Sequence, residues 1–161
     1  MVTGPVGGVR LALDWGQSRI GVAACDAGGT LAYPVETITG ARDQERVMSI
    51  LDRLVAEYEP RGLVIGLPRH LNGSEGENAR LVRQQAHRLA RRFPALEVRL
   101  VDERLSTRTA ARQLHEAGFK AREHRGMIDQ VAAVAILNTA LDAERVSGTS
   151  AGELIEKGST P

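Results

Sequence analysis

The chain has 161 residues, 42% of them hydrophobic and 25% charged, the make-up of one soluble globular domain. No apolar run approaches the roughly 20 residues that cross a bilayer, and the N-terminus lacks the charged-then-apolar pattern of a secretory signal, so neither membrane insertion nor secretion is expected. A single cysteine, Cys25, excludes an intramolecular disulfide and a cysteine-built metal site, and it suits a reducing cytoplasm. The net charge of +1 hides an asymmetry, because residues 80–125 carry 12 Lys/Arg against 5 Asp/Glu and the remainder carries 9 against 15. Most of that local excess is arginine, whose planar fork matches a polyanion's phosphates, although a pair of solvated helix faces would give the same count.

Three glycines and a proline among the first eight residues read as a flexible leader, 1–8. The stretch 147–161, rich in Ser, Gly and Thr, reads as a disordered tail, which leaves one folded domain at 9–146. Val9, Leu11 and Leu13 alternate with Arg10, Ala12 and Asp14, a period of two that predicts a strand ending on the carboxylate. Trp15-Gly16-Gln17-Ser18 turns the chain, residues 20–25 return as a second strand, and 30–38 form a third after a turn at Asp26-Ala27-Gly28-Gly29. Val47, Ile50, Leu51, Leu54 and Val55 then fall on one helical face, and Glu59-Pro60 stops that helix. Residues 63–67 are a short apolar run, as in a buried strand. A Gly/Asn/Ser loop leads to a helix over about 75–92, and 97–101 alternates as a strand that ends at Asp102-Glu103. Helices are predicted over about 106–116 and 128–145. Three antiparallel strands followed by strand–helix alternation predict a mixed five-stranded α/β sheet with helices on its faces.

Three acids stand where such a sheet would bring them together. Asp14 closes the first strand, Glu103 follows the last, and Asp129 lies in the first turn of the final helix. Ligands gather at the carboxyl ends of strands in α/β sheets. Converging carboxylates repel unless a cation lies between them, and oxygen-only ligands suit the hard ions Mg²⁺ or Mn²⁺, which support phosphodiester cleavage. Each acid also has a plain structural use: Asp14 as a turn cap, Glu103 as a partner of Arg104, and Asp129 as a charge near a helix N-terminus.

The stretch from Leu13 to Ala23 resembles the opening D-x-G-x-x-R-I-G-V-A signature of the YqgF/RuvX family. Val64-Ile65-Gly66-Leu67-Pro68 with Asn72-Gly73-Ser74-Glu75-Gly76 is similar to that family's second motif. Asp102-Glu103-Arg104-Leu105-Ser106-Thr107 resembles the third, and Ile128-Asp129-Gln130-Val131-Ala132-Ala133 the last. In this order the four motifs span residues 10 to 138. The resemblance implies an RNase H-like fold and a nuclease that matures the 5′ end of the 16S ribosomal RNA precursor. It also implies metal-binding and catalytic positions at Asp14, Glu103 and Asp129. Gln17-Ser18 and Arg69-His70 depart from the family's usual residues without touching a carboxylate, which leaves substrate preference open.

Arg19, Arg104 and Arg108 are the candidates for contact with the nucleic-acid backbone, the last two one helical turn apart. Gly16 permits a tight turn beside the acids. The loop Asn72-Gly73-Ser74-Glu75 offers backbone N–H groups to a phosphate, or Ser74 simply caps the next helix. Histidines 70, 87, 115 and 124 have no metal-ligand spacing and read as surface or loop residues. Trp15 is either a stacking surface beside Asp14 or a core residue, and Cys25 reads as a buried strand residue. The expected partner is nucleic acid, either pre-16S RNA in a ribosomal precursor particle or a branched DNA, with a monomer and a homodimer both compatible. Two rival functions keep this sequence pattern: a Holliday junction resolvase-like DNA endonuclease, and a non-catalytic ribosome-assembly factor that binds RNA. A nucleotide phosphotransferase built on the D-x-G turn would need a second such domain.

Overall fold

In the computed structural model, which describes residues 7–104 and 125–157, the chain opens as a meander of β1 (Arg10–Trp15), β2 (Arg19–Cys25) and β3 (Ala32–Thr39). The first turn closes through the Gly16 N–H to the Arg19 carbonyl at 2.9 Å, and a Cβ on Gly16 would sit 2.7 Å from that oxygen, so only glycine fits. In the second turn the Asp26 side chain accepts from the N–H groups of Thr30 and Leu31 at 2.8 and 2.9 Å. β3 carries Pro34 on the sheet's edge, where a missing donor is harmless.

Helix α1 (Gln44–Tyr58) starts at Asp43, whose carboxylate accepts from the Arg46 N–H at 3.1 Å. It ends where Glu59 turns left-handed (φ 46°) and Pro60 forbids continuation. β4 (Gly62–Leu67), buried along its whole length, runs parallel to β1. Helix α2 (Glu77–Arg92) leads to β5 (Glu97–Asp102), parallel to β4, and helix α3 (Arg125–Ser147) crosses back over the meander. The sheet has six strands in the order β3-β2-β1-β4-β5-β6, with β6 (Glu153–Leu154) antiparallel to β5. The helix expected over 106–116 lies outside the described residues. No helix among the described residues is long and apolar enough to cross a membrane.

Strand alternation splits the core between the two faces of the sheet. Leu11, Leu13, Ile65 and Leu100 meet Val47, Leu51 and Leu54 of α1 and Val82 and Leu89 of α2. On the other face Ala12, Ala23 and Val64 meet Ala133, Ile136, Leu137 and Leu141 of α3. The small strand residues on this second face let α3 lie close to the sheet.

Three expectations change. The sheet gains a sixth strand from the stretch expected to be a disordered tail. There Ile155 is 4% exposed, its N–H reaches the Val98 carbonyl at 2.8 Å, and Glu153 pairs with Arg83. Two adjacent large apolar side chains, Leu154 and Ile155, in a Ser/Gly/Thr-rich stretch are too weak a pattern to be read locally, yet β5 offers a free edge that the segment can pair with. Ile155→Ala is expected to cost about 2–3 kcal/mol, read as a lower midpoint in a urea titration; an unchanged midpoint would mean that the segment does not contribute to the core. Arg10, polar in the period-two pattern, is buried because α3 covers its face, where Glu144 accepts from its Nη1 at 2.6 and 2.8 Å. His87 is buried on α2 rather than lying at the surface.

Candidate active site

Parallel strands deliver their carboxyl ends to one edge, so β1 and β5 bring Asp14 and the Asp102-Glu103 pair there, with the end of β4 between them. Gly66 of β4 makes the room: a Cβ at this position would lie 2.5 Å from both Glu103 Oε2 and Ile136 Cδ1. The Glu103 N–H is bonded to the Leu67 carbonyl at 3.2 Å, which fixes where its side chain starts. Asp129 arrives from α3 over the other neighbour of β1. Its backbone rests on Gly21, which is the register partner of Asp14, and a Cβ on Gly21 would sit 1.9 Å from the Asp129 carbonyl oxygen. Asp129 belongs to the second turn of α3 rather than the first, since the helix already includes Arg125.

The three acids have different surroundings. Burial, with the negative charge of Asp129 added, pushes the Asp14 carboxyl up to about 6. Burial together with Asp14 and Asp102 pushes Glu103 up to about 7. Among the described residues neither carboxylate has a hydrogen-bond or ion-pair partner. Asp129 does, because Arg19 Nε donates to its Oδ2 at 2.6 Å. Asp102 is also neutralised: Arg104 grips it through the backbone N–H at 3.0 Å and through Nη2 at 2.6 Å, which holds its carboxyl below the usual range. The Glu103–Arg104 pair expected as a plain structural use is therefore not formed, and Glu103 has no cation partner among the described residues. No three His, Cys, Asp or Glu side chains among the described residues stand close enough together to form a ready metal cage.

A groove of about 580 Å³ opens from Asp14 and Glu103 and runs between α1 and α2 past Trp15 and Pro68. Trp15 packs partly buried on the core, the structural use expected of it, and also lines this groove. Arg19 reaches Asp129, and Arg104 reaches Asp102 and the Leu71 carbonyl, so both stand at the site but neither is a free cation. Arg108 lies outside the described residues. Ser74 does not cap α2. Its N–H and Oγ bond to Asn72 Oδ1 at 2.9 and 2.7 Å, and the helix starts at Gly76 without a side-chain cap. Much of the basic excess is spent in ion pairs: Arg83 with Glu75 and Glu153, Arg92 with Asp52, Arg80 with Glu77. Gly21 and Gly66 were not recognised as site residues, although an isolated glycine inside a strand marks a close approach and was the available signal. Gln44 and Gln85, which also line the groove, gave none.

The family model for RuvX, described as Holliday junction resolvase, matches residues 8–143. The chain belongs to the RuvX family. Among its relatives, a protein of Streptomyces coelicolor is 52% identical over 149 residues, covering 92% of this chain and 89% of the relative. One of Cutibacterium acnes is 52% identical over 139 residues, covering 86% and 85%. Both are named, provisionally, pre-16S rRNA nuclease. The RuvC of Thermus thermophilus, solved with a Holliday junction substrate, superposes with a TM-score of 0.56 at 16% identity over 91% of this chain and 99% of RuvC. That likeness establishes the RNase H-like fold. The four sequence motifs thus identified the family, and this RuvX member is a nuclease, a hydrolase acting on ester bonds.

Proposed function

We propose that Asp14, Glu103 and Asp129 form the catalytic centre of a divalent-metal-dependent nuclease that trims the 5′ end of pre-16S rRNA. The observation that carries this reading is the pair Asp14 and Glu103, two half-buried carboxylates at the ends of strands that flank β4, each pushed toward neutrality by burial and by negative neighbours. The donor set fits a hard cation, Mg²⁺ or Mn²⁺, because it offers oxygen atoms only and its excess negative charge has no partner among the described residues. Such an ion would supply Lewis-acid chemistry, polarising the phosphodiester and stabilising the charge of the displaced oxygen. Asp14 and Glu103 would hold it, with Asp129, now bonded to Arg19, as the third carboxylate available to it. Arg19 is bonded to Asp129 only through Nε, which leaves its terminal nitrogens for a phosphate. Arg104, fixed by Asp102, contacts the nucleic-acid backbone next to it, and Arg108 follows in the sequence as the next such contact.

Relatives named for pre-16S rRNA at about half identity over most of the chain support the RNA substrate. On this reading the protein works in the cytoplasm on a ribosomal precursor particle, and a monomer or a homodimer suffices. Branched DNA is the second reading, favoured by the family's description. Incubating the protein with a 5′-extended 16S precursor and with a four-way DNA junction, with Mg²⁺ or Mn²⁺ and after chelation, tests both. Cutting of the RNA that chelation abolishes is expected. Cutting of the junction alone would transfer the assignment to a resolvase, and RNA binding without hydrolysis under any divalent ion would make the protein an assembly factor.

A further inference from the structure

The groove that opens from Asp14 and Glu103 holds polar atoms that the fold itself does not use. Gln44, the first residue of α1, and Gln85 of α2 both line it, and the Oε1 atom of each is buried with no hydrogen-bond partner among the described residues. A buried carbonyl oxygen without a donor costs stability, and native structures leave few of them. Two on facing helices of one groove are accounted for if a ligand, on entering, turns the two flexible carboxamides toward it and supplies the donors. The remaining lining has the same character, with Gln17 and Asn78 adding carboxamides and Arg42 a single guanidinium. A phosphate oxygen only accepts and cannot satisfy a carboxamide oxygen, whereas a base N–H or a ribose hydroxyl can. The volume, about 580 Å³, is within the range of small-ligand sites.

We infer that this groove seats one nucleoside adjoining the scissile phosphate, and that Gln44 and Gln85 select it by accepting hydrogen bonds from its base N–H groups or its 2′-hydroxyl. The inference rests on the nuclease reading for the position of the phosphate. With the phosphate at Asp14 and Glu103, the neighbouring nucleoside enters between α1 and α2, beside the Trp15 ring. A nucleoside that offers a donor satisfies the two oxygens. One that offers none leaves them buried and unpaired, the situation that gives hydrogen-bonding sites their strong discrimination.

The test is binding of short single-stranded RNAs by fluorescence anisotropy to the full chain carrying Asp14→Asn, so that cleavage does not interfere. The RNAs are scanned one nucleotide at a time with a 2′-deoxy sugar, and separately with purine in place of adenine to remove the base donor. One position is expected to show a loss of about 3–10-fold. A loss in the deoxy series assigns the ribose hydroxyl, and one in the base series assigns the base edge. Gln44→Met and Gln85→Met should each weaken binding of the parent RNA by a similar factor, and the double variant should no longer distinguish the substituted RNAs. Thermal midpoints of both variants should stay level or rise, because no hydrogen bond of the fold is lost. Parent binding unchanged in the variants, discrimination retained by the double variant, or a clear fall in midpoint would overturn the inference. Cleavage by the chain with Asp14 intact is scored separately: selective binding without hydrolysis removes the nuclease reading and keeps the groove, and hydrolysis without selectivity does the reverse.

Discussion

Asp14→Asn is expected to abolish cleavage while making the metal-free protein more stable at pH 8. On the catalytic side, loss of one of two uncompensated carboxylates should lower the rate by at least about 10³-fold, on the order of 4 kcal/mol in the barrier. The stability change follows from linkage. Burial and negative neighbours push Asp14 up to about 6 from an ordinary 3.8, and Glu103 up to about 7 from 4.5. Both are raised, so the folded state binds protons more tightly than the unfolded one, and stability falls as pH rises through about 4 to 7. Well below pH 3.8 both carboxyls are protonated in either state and contribute nothing. At pH 8 Asn in place of Asp14 removes one buried charge and relieves Glu103. After a discount for the partial exposure of both groups the gain is about 1–3 kcal/mol, or roughly 2–10 °C in Tm for a domain of this size. Adding Mg²⁺ or Mn²⁺ should raise the Tm of the wild type, by about 2.7 kcal/mol of stabilisation at a hundredfold excess over Kd, and should do much less for the variant. Calorimetry at pH 4 and pH 8, with and without the cation, reads all of this. A variant less stable than wild type at pH 8, or one that keeps the full cation response, would take Asp14 out of the site.

The second large effect is expected from a glycine with no chemistry of its own. Gly21→Ala would bring a methyl group to within 1.9 Å of the Asp129 carbonyl oxygen and 2.3 Å of its carbon. Both atoms belong to the backbone of α3, so no side chain can swing aside; either the helix lifts from β2 or the strand bends. Lifting separates Ala133, Ile136 and Leu137 from Ala12 and Ala23 and carries Asp129 away from Asp14. The destabilisation should reach about 3 kcal/mol or more, with activity lost even in the fraction that stays folded. Gly28→Ala is the control, because its nearest neighbours are the side-chain oxygens of Asp26 and Thr30 at 3.1 and 3.3 Å, which can move. Equal midpoints for the two variants in a urea titration would contradict the close approach of α3.

Much of this protein was written locally. The period-two run ending in Asp14, the apolar block at 63–67 and the helical faces before Pro60 and Pro94 each place an element from a few consecutive residues, and the structure has those elements within a residue or two. The order of elements, a meander and then helical crossovers, carried the strand ends of β1 and β5 to one edge. It therefore brought Asp14 and Glu103 together before any coordinate was known, and the four motifs carried the family.

Tertiary structure decided which groups are compensated. That Arg19 holds Asp129 and that Arg10 is buried against Glu144 are outcomes of packing between distant segments, and so is the burial that pushes Glu103 toward neutrality while Arg104 turns to its near neighbour Asp102. The same is true of the tail strand, which needs the free edge of β5, and of the buried oxygens of Gln44 and Gln85. Backbone propensity and hydrophobic period act over a few neighbouring residues, so a sequence displays them directly. The partner of a charge, and the solvent left around it, depend on how separate elements come to lie against one another, and only the assembled fold fixes that.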